Sequence, residues 1–246
     1  MKKKIVIISG AGISAESGIA TFRDSEDGLW ANFKIEEVCT YEAYQKDPTK
    51  VNDFYNQRRI EVLNASPNKA HEAIAELESE FNVVNITQNV DDLFERAGCT
   101  NIIHLHGEIL KARSSNPCYD WAGISTDPKI NNYPTYSVNR KGITMNDYAD
   151  DGFPLRPDIV FFGESVPKII DAEKEILEAD AIIVVGTSLN VYPAASLVYQ
   201  GRTDVPIFIV DPNLSLDQEN KVFVHNIKAK ATIGIPIAIS KIKELL

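Results

Sequence analysis

The 246-residue chain has a formal net charge of −10, with 44% hydrophobic and 24% charged residues. This composition predicts one α/β core of ordinary globular type, and the acidic balance argues against a general nucleic-acid or anionic-membrane surface. No apolar run approaches the roughly 20 residues of a membrane span, so we expect a cytoplasmic protein. Its three cysteines, Cys39, Cys99 and Cys118, form no C-x-x-C pair and predict neither a disulfide framework nor a thiolate zinc site.

A glycine-rich turn follows the first apolar run. Residues 5–8 read IVII, which is short and β-branched like a buried strand. Gly10, Gly12 and Ala15 then fit the G-x-G-x-x-G/A pattern of a dinucleotide-binding turn between a strand and a helix. Small residues let the backbone approach a pyrophosphate, which the helix N-terminus then attracts. A tight turn without a cofactor fits the triplet about equally well.

The residues after the glycines favour the cofactor. From Gly10 the chain reads GAGISAESGIATFRD, a long stretch that resembles the signature of the sirtuins, the NAD-dependent protein-lysine deacylases. The resemblance implies that NAD contacts the following residues of the stretch: Gly10, Ala11, Gly12, Ile13, Ser14, Glu16, Thr21, Phe22 and Arg23.

Apolar residues at helical spacing fill the next forty positions. They predict helices over Tyr41–Gln45, Val51–Leu63 and Asn68–Leu77. Tyr55 and Arg58 share one face of the second helix because they are three residues apart. A surface helix with an aromatic and some cations is one interpretation. Tyr-x-x-Arg also resembles the acyl-pocket pair of sirtuins that prefer succinyl-lysine, because a guanidinium can grip a carboxylate bidentately.

Polar residues follow the next predicted strand, Phe81–Ile86. The run TQNVD resembles the sirtuin motif T-Q-N-[IV]-D, which implies that Gln88, Asn89 and Asp91 line the nicotinamide and ribose pocket. Helix capping by Asn89 or Asp91 is the alternative. Phe94 stands where the family usually has a histidine, so we expect altered packing there and no loss of activity.

Two histidines lie in the next segment, Asn101–Gly107. If this segment is extended, His104 and His106 point to the same side. A histidine in an apolar strand is more often a core residue than a catalyst. However, the H-G pair after TQNVD resembles the sirtuin catalytic histidine, which implies that His106 is the general base. His104 is the weaker candidate.

Residues 108–154 are rich in Asn, Ser, Tyr, Pro, Gly and Asp, and they predict a loop-rich inserted module. In most sirtuins this stretch carries two C-x-x-C pairs that bind structural zinc. Here it holds only Cys118 and no histidine, too few for the four ligands of such a site. We therefore predict no zinc, with packing by aromatic residues in its place: Tyr119, Trp121, Tyr133, Tyr136 and Tyr148.

The last motifs resemble the substrate cleft of the family. Leu155–Glu164 resembles R-P-x-[IV]-V-x-F-G-E, where an acyl-lysine peptide adds as a strand; this implies peptide contacts at Val160, Phe162, Gly163 and Glu164. A core strand with a turn at Gly163 is the alternative.

The run GTSLNVYPA implies cofactor contacts at Gly186, Thr187 and Ser188 and a cleft wall at Leu189, Asn190 and Val191. Asp211 replaces the asparagine that usually contacts the adenosine ribose.

The remaining pattern predicts a helix over Ile169–Ala179, strands over Ala181–Val185 and Val205–Val210, and a terminal segment helical after Pro236. Alternating strands and helices predict an α/β fold, and the resemblance specifies a Rossmann-like parallel sheet flanked by helices with a smaller lobe. We expect the larger lobe at about 1–32, 68–107 and 155–246, and the smaller at about 33–67 and 108–154.

The resemblance implies NAD-dependent removal of acyl groups (succinyl, malonyl or acetyl) from lysines of proteins or peptides, which yields nicotinamide and O-acyl-ADP-ribose. His106, Asn89 and Asp91 are the implied catalytic residues. One alternative is an ADP-ribosyltransferase or NAD glycohydrolase on the same fold, which has no need of the peptide-cleft motifs. Another is a non-enzymatic NAD-binding regulator, which has no need of a base beside the ribose.

Overall fold

The computed structural model describes residues 2–21, 34–116, 133–187, 196–197, 200–201, 203–214 and 223–246. Within these ranges the helices and strands follow in this order: β1 (Lys4–Ser9), α1 (Ile35–Val38), α2 (Tyr41–Lys46), α3 (Pro48–Asn64), α4 (Lys69–Leu77), β2 (Asn82–Thr87), α5 (Leu93–Ala97), β3 (Ile102–His104), β4 (Gly107–Ser114), β5 (Thr135–Ser137), β6 (Leu155–Ile159), α6 (Ile169–Leu177), β7 (Ala181–Val185), β8 (Ile207–Val210), β9 (Val224–Ile227) and α7 (Ala231–Leu245).

The larger sheet has six parallel strands in the order β3-β2-β1-β7-β8-β9. This order runs outward in both directions from β1 and β7, as in the doubly wound dinucleotide-binding fold. The predicted Rossmann-like sheet is therefore confirmed. In such sheets ligands bind beyond the carboxyl ends of the strands, where the order reverses, which here means between β1 and β7.

Both faces of this sheet are covered. Ile5 and Ile7 of β1 pack in one core with Ile235 and Ile242 of α7. Their neighbours along the strand lie in a second core that includes Ile176 of α6. Because β1 is buried on both sides, it needs apolar residues at consecutive positions, which explains its unbroken apolar run.

A second, antiparallel sheet has the order β5-β4-β6. Its neighbour is a third core, in which Tyr44, Phe54 and Tyr55 of the helical segment meet Ile109 of β4 and Phe161 just after β6. The lobe boundaries expected from the sequence group β6 with the larger lobe. In the structure, β6 is instead joined to β4 of the small sheet by backbone hydrogen bonds.

Three local predictions require correction. Residues 11–17 form two short 3-10 turns, and no α-helix follows the glycines within residues 9–21. Strand β3 ends at His104, so His106 lies in the turn after it. Helix α7 begins at Ala231, five residues before Pro236. This earlier start has a distant cause, since the Glu16 carboxylate accepts hydrogen bonds from the backbone and side chain of Thr232.

Candidate active site

The glycine turn after β1 crosses the end of β7 at very close range. The N–H of Gly10 donates to the Val185 carbonyl at 3.1 Å, and the N–H of Gly12 donates to the Gly186 carbonyl at 2.8 Å. A Cβ on Gly12 would lie 2.6 Å from the Gly186 Cα, and a Cβ on Gly186 would lie 2.4 Å from the Ile13 nitrogen. Gly186 also has φ +60. The glycines are thus required by the crossing of two backbones.

The rest of this turn is held by polar side chains. Asn68, at the start of α4, donates to the Ile13 carbonyl at 2.8 Å and to the Ser17 hydroxyl at 2.9 Å. The Glu16 carboxylate accepts from the N–H and the hydroxyl of Thr232 at the start of α7. Among the described residues, no hydrogen-bond partner is found for the N–H of Ala11. Thr21 is the last described residue here, and Phe22 and Arg23 lie outside the described ranges.

A buried chain of hydrogen bonds links the glycine turn to the loop after β2. The Asn89 amide donates to the Ser14 hydroxyl at 3.0 Å, and that hydroxyl donates to the Asp91 carboxylate at 2.9 Å. The other Asp91 oxygen accepts from the Leu93 N–H at 3.2 Å, a cap-like contact. Burial raises the pKa of Asp91, although both hydrogen bonds oppose the rise.

Gln88, at the start of the same loop, connects it to the end of β7 and to His106. The side-chain amide of Gln88 donates to the Thr187 hydroxyl at 3.2 Å. Its backbone carbonyl oxygen lies 3.1 Å from His106 Nδ1. Because a carbonyl only accepts, Nδ1 carries the ring proton and Nε2 keeps its lone pair. Burial lowers the pKa of His106, with the Gln88 hydrogen bond opposing. His106 is therefore neutral at neutral pH, with a basic nitrogen available.

His104 is also buried, at 4% exposure. Its Nδ1 lies 3.0 Å from the Asn89 carbonyl, and its Nε2 lies 2.8 Å from a carboxylate oxygen of Glu95 on α5. The sequence prediction omitted Glu95, because nothing local distinguishes it from a surface glutamate. Its partner is set by how α5 packs against β3.

The segment after β6 uses part of its backbone within the chain. Phe162 donates its N–H to the Cys39 carbonyl at 2.9 Å and accepts from the Tyr41 N–H at 3.1 Å. Val160 donates to the His106 carbonyl at 3.0 Å. Gly163 is exposed with φ +92, and within the described residues neither its N–H nor its carbonyl has a partner. The backbone of Gly163 is thus the part of this segment open to a further strand.

The Glu164 side chain is fully buried in a network of charges. It accepts from Arg156 Nη1 at 2.7 Å and Nη2 at 3.0 Å, and from Arg113 Nη2 at 3.3 Å. It also accepts from the Phe161 N–H at 2.7 Å. Nearby, the Tyr133 hydroxyl donates to Asp158, which lies in the same strand as Arg156. The Glu164 carboxylate therefore fixes the segment after β6 to the small sheet. The peptide contact that the resemblance implies for Glu164 is left to its backbone.

The same network helps to stabilise the small module, residues 108–154. We expected aromatic packing, and Tyr133 does stack over Arg113, with 5.4 Å from the guanidinium carbon to the ring centroid. Tyr148, in contrast, is 59% exposed. Tyr119, Trp121 and Cys118 lie outside the described ranges. In the described part of the module, ion pairs and polar side chains contribute alongside aromatic rings.

Tyr55 and Arg58 lie inside the small lobe, at 7% and 9% exposure. The Tyr55 ring packs 5.7 Å from that of Phe161, and its hydroxyl donates to the Cys39 sulfur at 3.7 Å. Arg58 Nη1 forms an ion pair with Glu61 at 2.7 Å. The interpretation of this face as an ordinary surface helix is therefore wrong, because both side chains are buried and Tyr55 belongs to the third core.

The remaining residues with implied roles lie after β8 or outside the described ranges. The Asp211 carboxylate follows β8 and accepts from the Asn213 N–H at 2.7 Å. The resemblance also implied roles for four residues outside the described ranges: Ser188, Leu189, Asn190 and Val191. The helices of the described segments include none with the length and hydropathy of a membrane span.

One group of side chains has metal-ligand geometry. Glu95, His104 and Glu108 bring their ligand atoms within 4.8 Å of one another. The ring of His104 is already bonded to Glu95, and Lys111 pairs with Glu108 at 2.9 Å. The group is therefore satisfied by its own charges, and we assign no ion to it.

Known proteins match this sequence and fold over most of the chain. The Sir2 family model matches residues 10–193. An NAD-dependent protein deacylase of Aggregatibacter actinomycetemcomitans is 50% identical over 214 residues, covering 87% of this chain and 95% of that protein. One from Bacteroides thetaiotaomicron is 44% identical over 244 residues, covering 99% and 98%. A solved Sir2 homolog–NAD complex has TM-score 0.79 at 37% identity, covering 99% of this chain and 91% of that one.

Proposed function

The chain belongs to the Sir2 family, and on this premise we propose that it is an NAD-dependent protein-lysine deacylase. One observation carries the proposal: the glycine turn, the TQNVD loop and His106 converge at the carboxyl edge of the parallel sheet, at its switch point. Open α/β sheets bind their ligands at this edge. Its substrates are acylated proteins or peptides.

The residues present fit NAD. The N–H of Ala11 has no partner among the described residues, and it opens the first 3-10 turn, where an unpaired donor suits a phosphate oxygen. Ser14, Gln88 and Thr187 offer further polar groups at the same edge, and the Asp211 carboxylate suits ribose hydroxyls. When bound, NAD supplies the ADP-ribosyl group that takes up the acyl group as nicotinamide leaves.

His106 is the general base in this proposal. Its Nδ1 proton is held by the Gln88 carbonyl, so the lone pair of Nε2 is available to remove a proton from a hydroxyl. Burial keeps the ring neutral at working pH. Asn89 and Asp91 supply the amide and the carboxylate of the pocket, where a negative or dipolar side chain stabilises developing positive charge.

The peptide joins by strand addition at Gly163. The Phe162 backbone is already bonded to Cys39 and Tyr41, so the N–H and carbonyl of the exposed Gly163, which have no partner among the described residues, remain for the peptide. Val160 is tied to the turn of His106 by its N–H, which supports an acyl-lysine near the base. The exposed ring of Phe162 borders this edge at 49% exposure.

We assign acyl selection to Tyr55 and Arg58. Tyr55 is buried beside Phe161 and Cys39, behind the segment proposed for the peptide, and Arg58 is buried one turn further along the same helix. A guanidinium recognises the distal carboxylate of a succinyl or malonyl group, which an acetyl group lacks. The larger lobe then carries NAD, while the smaller lobe, residues 33–67 and 108–154 with β6 paired to it, carries the acyl pocket.

The test is mass spectrometry of one lysine peptide, either acetylated or succinylated, incubated with the protein and NAD. We expect free lysine, nicotinamide and O-acyl-ADP-ribose in equal amounts, with His106→Ala as the inactive control. Nicotinamide release without deacylation would indicate a glycohydrolase, and ADP-ribose on the peptide would indicate a transferase. Undiminished turnover by His106→Ala would exclude this histidine as the base.

A further inference from the structure

His104 and Glu95 lie directly behind the TQNVD loop. We propose that they form a positioning dyad in which a cationic His104, held by Glu95, fixes the Asn89 carbonyl and so aims the Asn89 and Asp91 side chains. This inference rests on the proposed function; it adds Glu95, and it gives His104, the weaker candidate for the base, a positioning role. It assigns no contact between the dyad and the substrate.

The hydrogen-bond partners of the His104 ring indicate its charge state. Nδ1 faces the Asn89 carbonyl at 3.0 Å and Nε2 faces a Glu95 carboxylate oxygen at 2.8 Å. Both partners only accept, so both ring nitrogens must donate. A neutral ring has one N–H and would direct a lone pair at one of these oxygens. The imidazolium form satisfies both contacts.

The surrounding charges favour the same form. Burial alone would lower the pKa of His104, but the Glu95 hydrogen bond and charge, the Asn89 carbonyl and the charge of Glu108 together raise it. The same contact lowers the pKa of Glu95 in spite of its burial. Lys111, a cation whose charge acts on Glu95, is paired with Glu108. The ring thus interacts with the charges of three carboxyl groups, from α5, β4 and the loop: Glu95, Glu108 and Asp91.

The dyad has a direct route to the proposed catalytic side chains. The His104 ring binds the backbone carbonyl of Asn89. The side-chain amide of Asn89 donates to the Ser14 hydroxyl, which in turn donates to the Asp91 carboxylate. His106 holds the preceding carbonyl, that of Gln88. Two histidines therefore fix two consecutive peptide groups of one loop, one ring as a cation and the other as a neutral base.

A purely structural ion pair would have a different signature. Glu95 is partly exposed, at 40% of its side chain, whereas His104 is 4% exposed; in Glu95→Gln the buried ring can lose its proton and so avoid the full cost of an unpaired buried charge. If the dyad positions the TQNVD loop, Glu95→Gln should lower kcat strongly while the free energy of unfolding and the KM change little. A misplacement of about 1 Å can cost up to about a hundredfold in rate.

The experiment uses the whole 246-residue chain labelled with ¹⁵N-histidine and ¹⁵N-amide. In the wild type, the titration midpoint of His104 should lie above the ordinary value of 6.5, and in Glu95→Gln it should move down because the ring loses the hydrogen bond and the charge of Glu95. The amide resonances of residues 89–91 should shift in the same variant. An unchanged titration, or unchanged amide resonances, would overturn the proposal. These readings need no turnover, so they stand even if the proposed deacylase activity is absent.

Kinetics with a deacylation substrate complete the test. We expect kcat of Glu95→Gln to fall about tenfold or more with KM for the peptide nearly unchanged, and Glu95→Asp to restore most of it. The matched control is Glu108→Gln, which removes a charge near His104 but none of the hydrogen bonds to its ring, and we expect a change below about twofold. Wild-type kcat in Glu95→Gln, or equal losses in both Gln variants, would overturn the proposal.

Discussion

The N–H of Gly12 donates to the carbonyl of Gly186 at 2.8 Å, with no room for a side chain on either residue. The two residues belong to different motifs, one after β1 and the other after β7. Their contact brings the two halves of the proposed cofactor site together at the switch point of the sheet. The glycine pattern therefore has a structural cause that operates before any ligand binds.

Gly186→Ala should destabilise the protein by about 3 kcal/mol or more, since it combines overpacking with a left-handed backbone. It should also weaken NAD binding, because the turn of Gly12 must move. Urea unfolding and calorimetry measure the two effects. Gly98→Ala is the matched control, as Gly98 has φ +100 but nothing within 4 Å of an added Cβ, and about 1–2 kcal/mol is expected. Equal losses in the two variants would contradict the crossing as the cause.

Glu164→Gln should cost about 3–5 kcal/mol of unfolding free energy, because it leaves buried guanidinium groups without their counter-charge. Its partners Arg156 and Arg113 are 2% and 1% exposed. Glu80→Gln is the comparison, since the pair of Glu80 with Lys243 lies at the surface and should contribute less than about 1 kcal/mol. Unfolding midpoints in urea would measure both, and similar values would refute the buried network.

Deacylation should depend on the neutral form of His106. Burial lowers the pKa of His106 below its ordinary value of 6.5, so the base becomes protonated only at acidic pH. We therefore expect kcat/KM to rise with pH to a plateau, with the midpoint of the acidic limb below 6.5. A pH–rate profile with that limb centred above 6.5 would contradict this assignment.

Arg58→Met should lower kcat/KM for succinyl-lysine about tenfold or more relative to acetyl-lysine, as expected for a lost charge-assisted hydrogen bond. Glu61→Gln provides a test of opposite sign. In the structure Glu61 occupies Arg58 Nη1 at 2.7 Å, so removing its charge should increase the preference for succinyl-lysine. Parallel assays of the two peptides measure both ratios. Equal losses on both substrates in Arg58→Met would exclude the pair from acyl selection.

Much of the fold could be predicted because the parallel strands carry local signals. The runs at Ile5–Ile8 and Ala181–Val185 are apolar at every position, as strands covered on both faces must be. The helices α2 to α4 follow their predicted spans closely, since apolar spacing defines them. Strand β4 carries no such signal, because its buried positions include the polar residues Arg113 and Ser114 and it lies within a loop-rich composition.

The contacts around the site were much less predictable. Glu16 binds at the start of α7, Glu95 binds His104, and Glu164 binds two arginines. Glu16 and Glu164 lie in motifs and Glu95 does not, but for all three the partner is selected by the packing of distant elements. The motifs indicated which segments meet, while the pairing of side chains within them needed coordinates. The expected absence of zinc stays a prediction.

The central strand of the large sheet has a consequence for biosynthesis. β1 is made first, yet one of its neighbours, β7, lies at Ala181–Val185. At roughly 5–20 residues per second, the ribosome needs about ten seconds or more to supply it. Until then one edge of β1 has no native partner and Gly12 cannot contact Gly186. The nascent chain therefore exposes an apolar strand edge during that interval, a window in which a chaperone would protect it from aggregation.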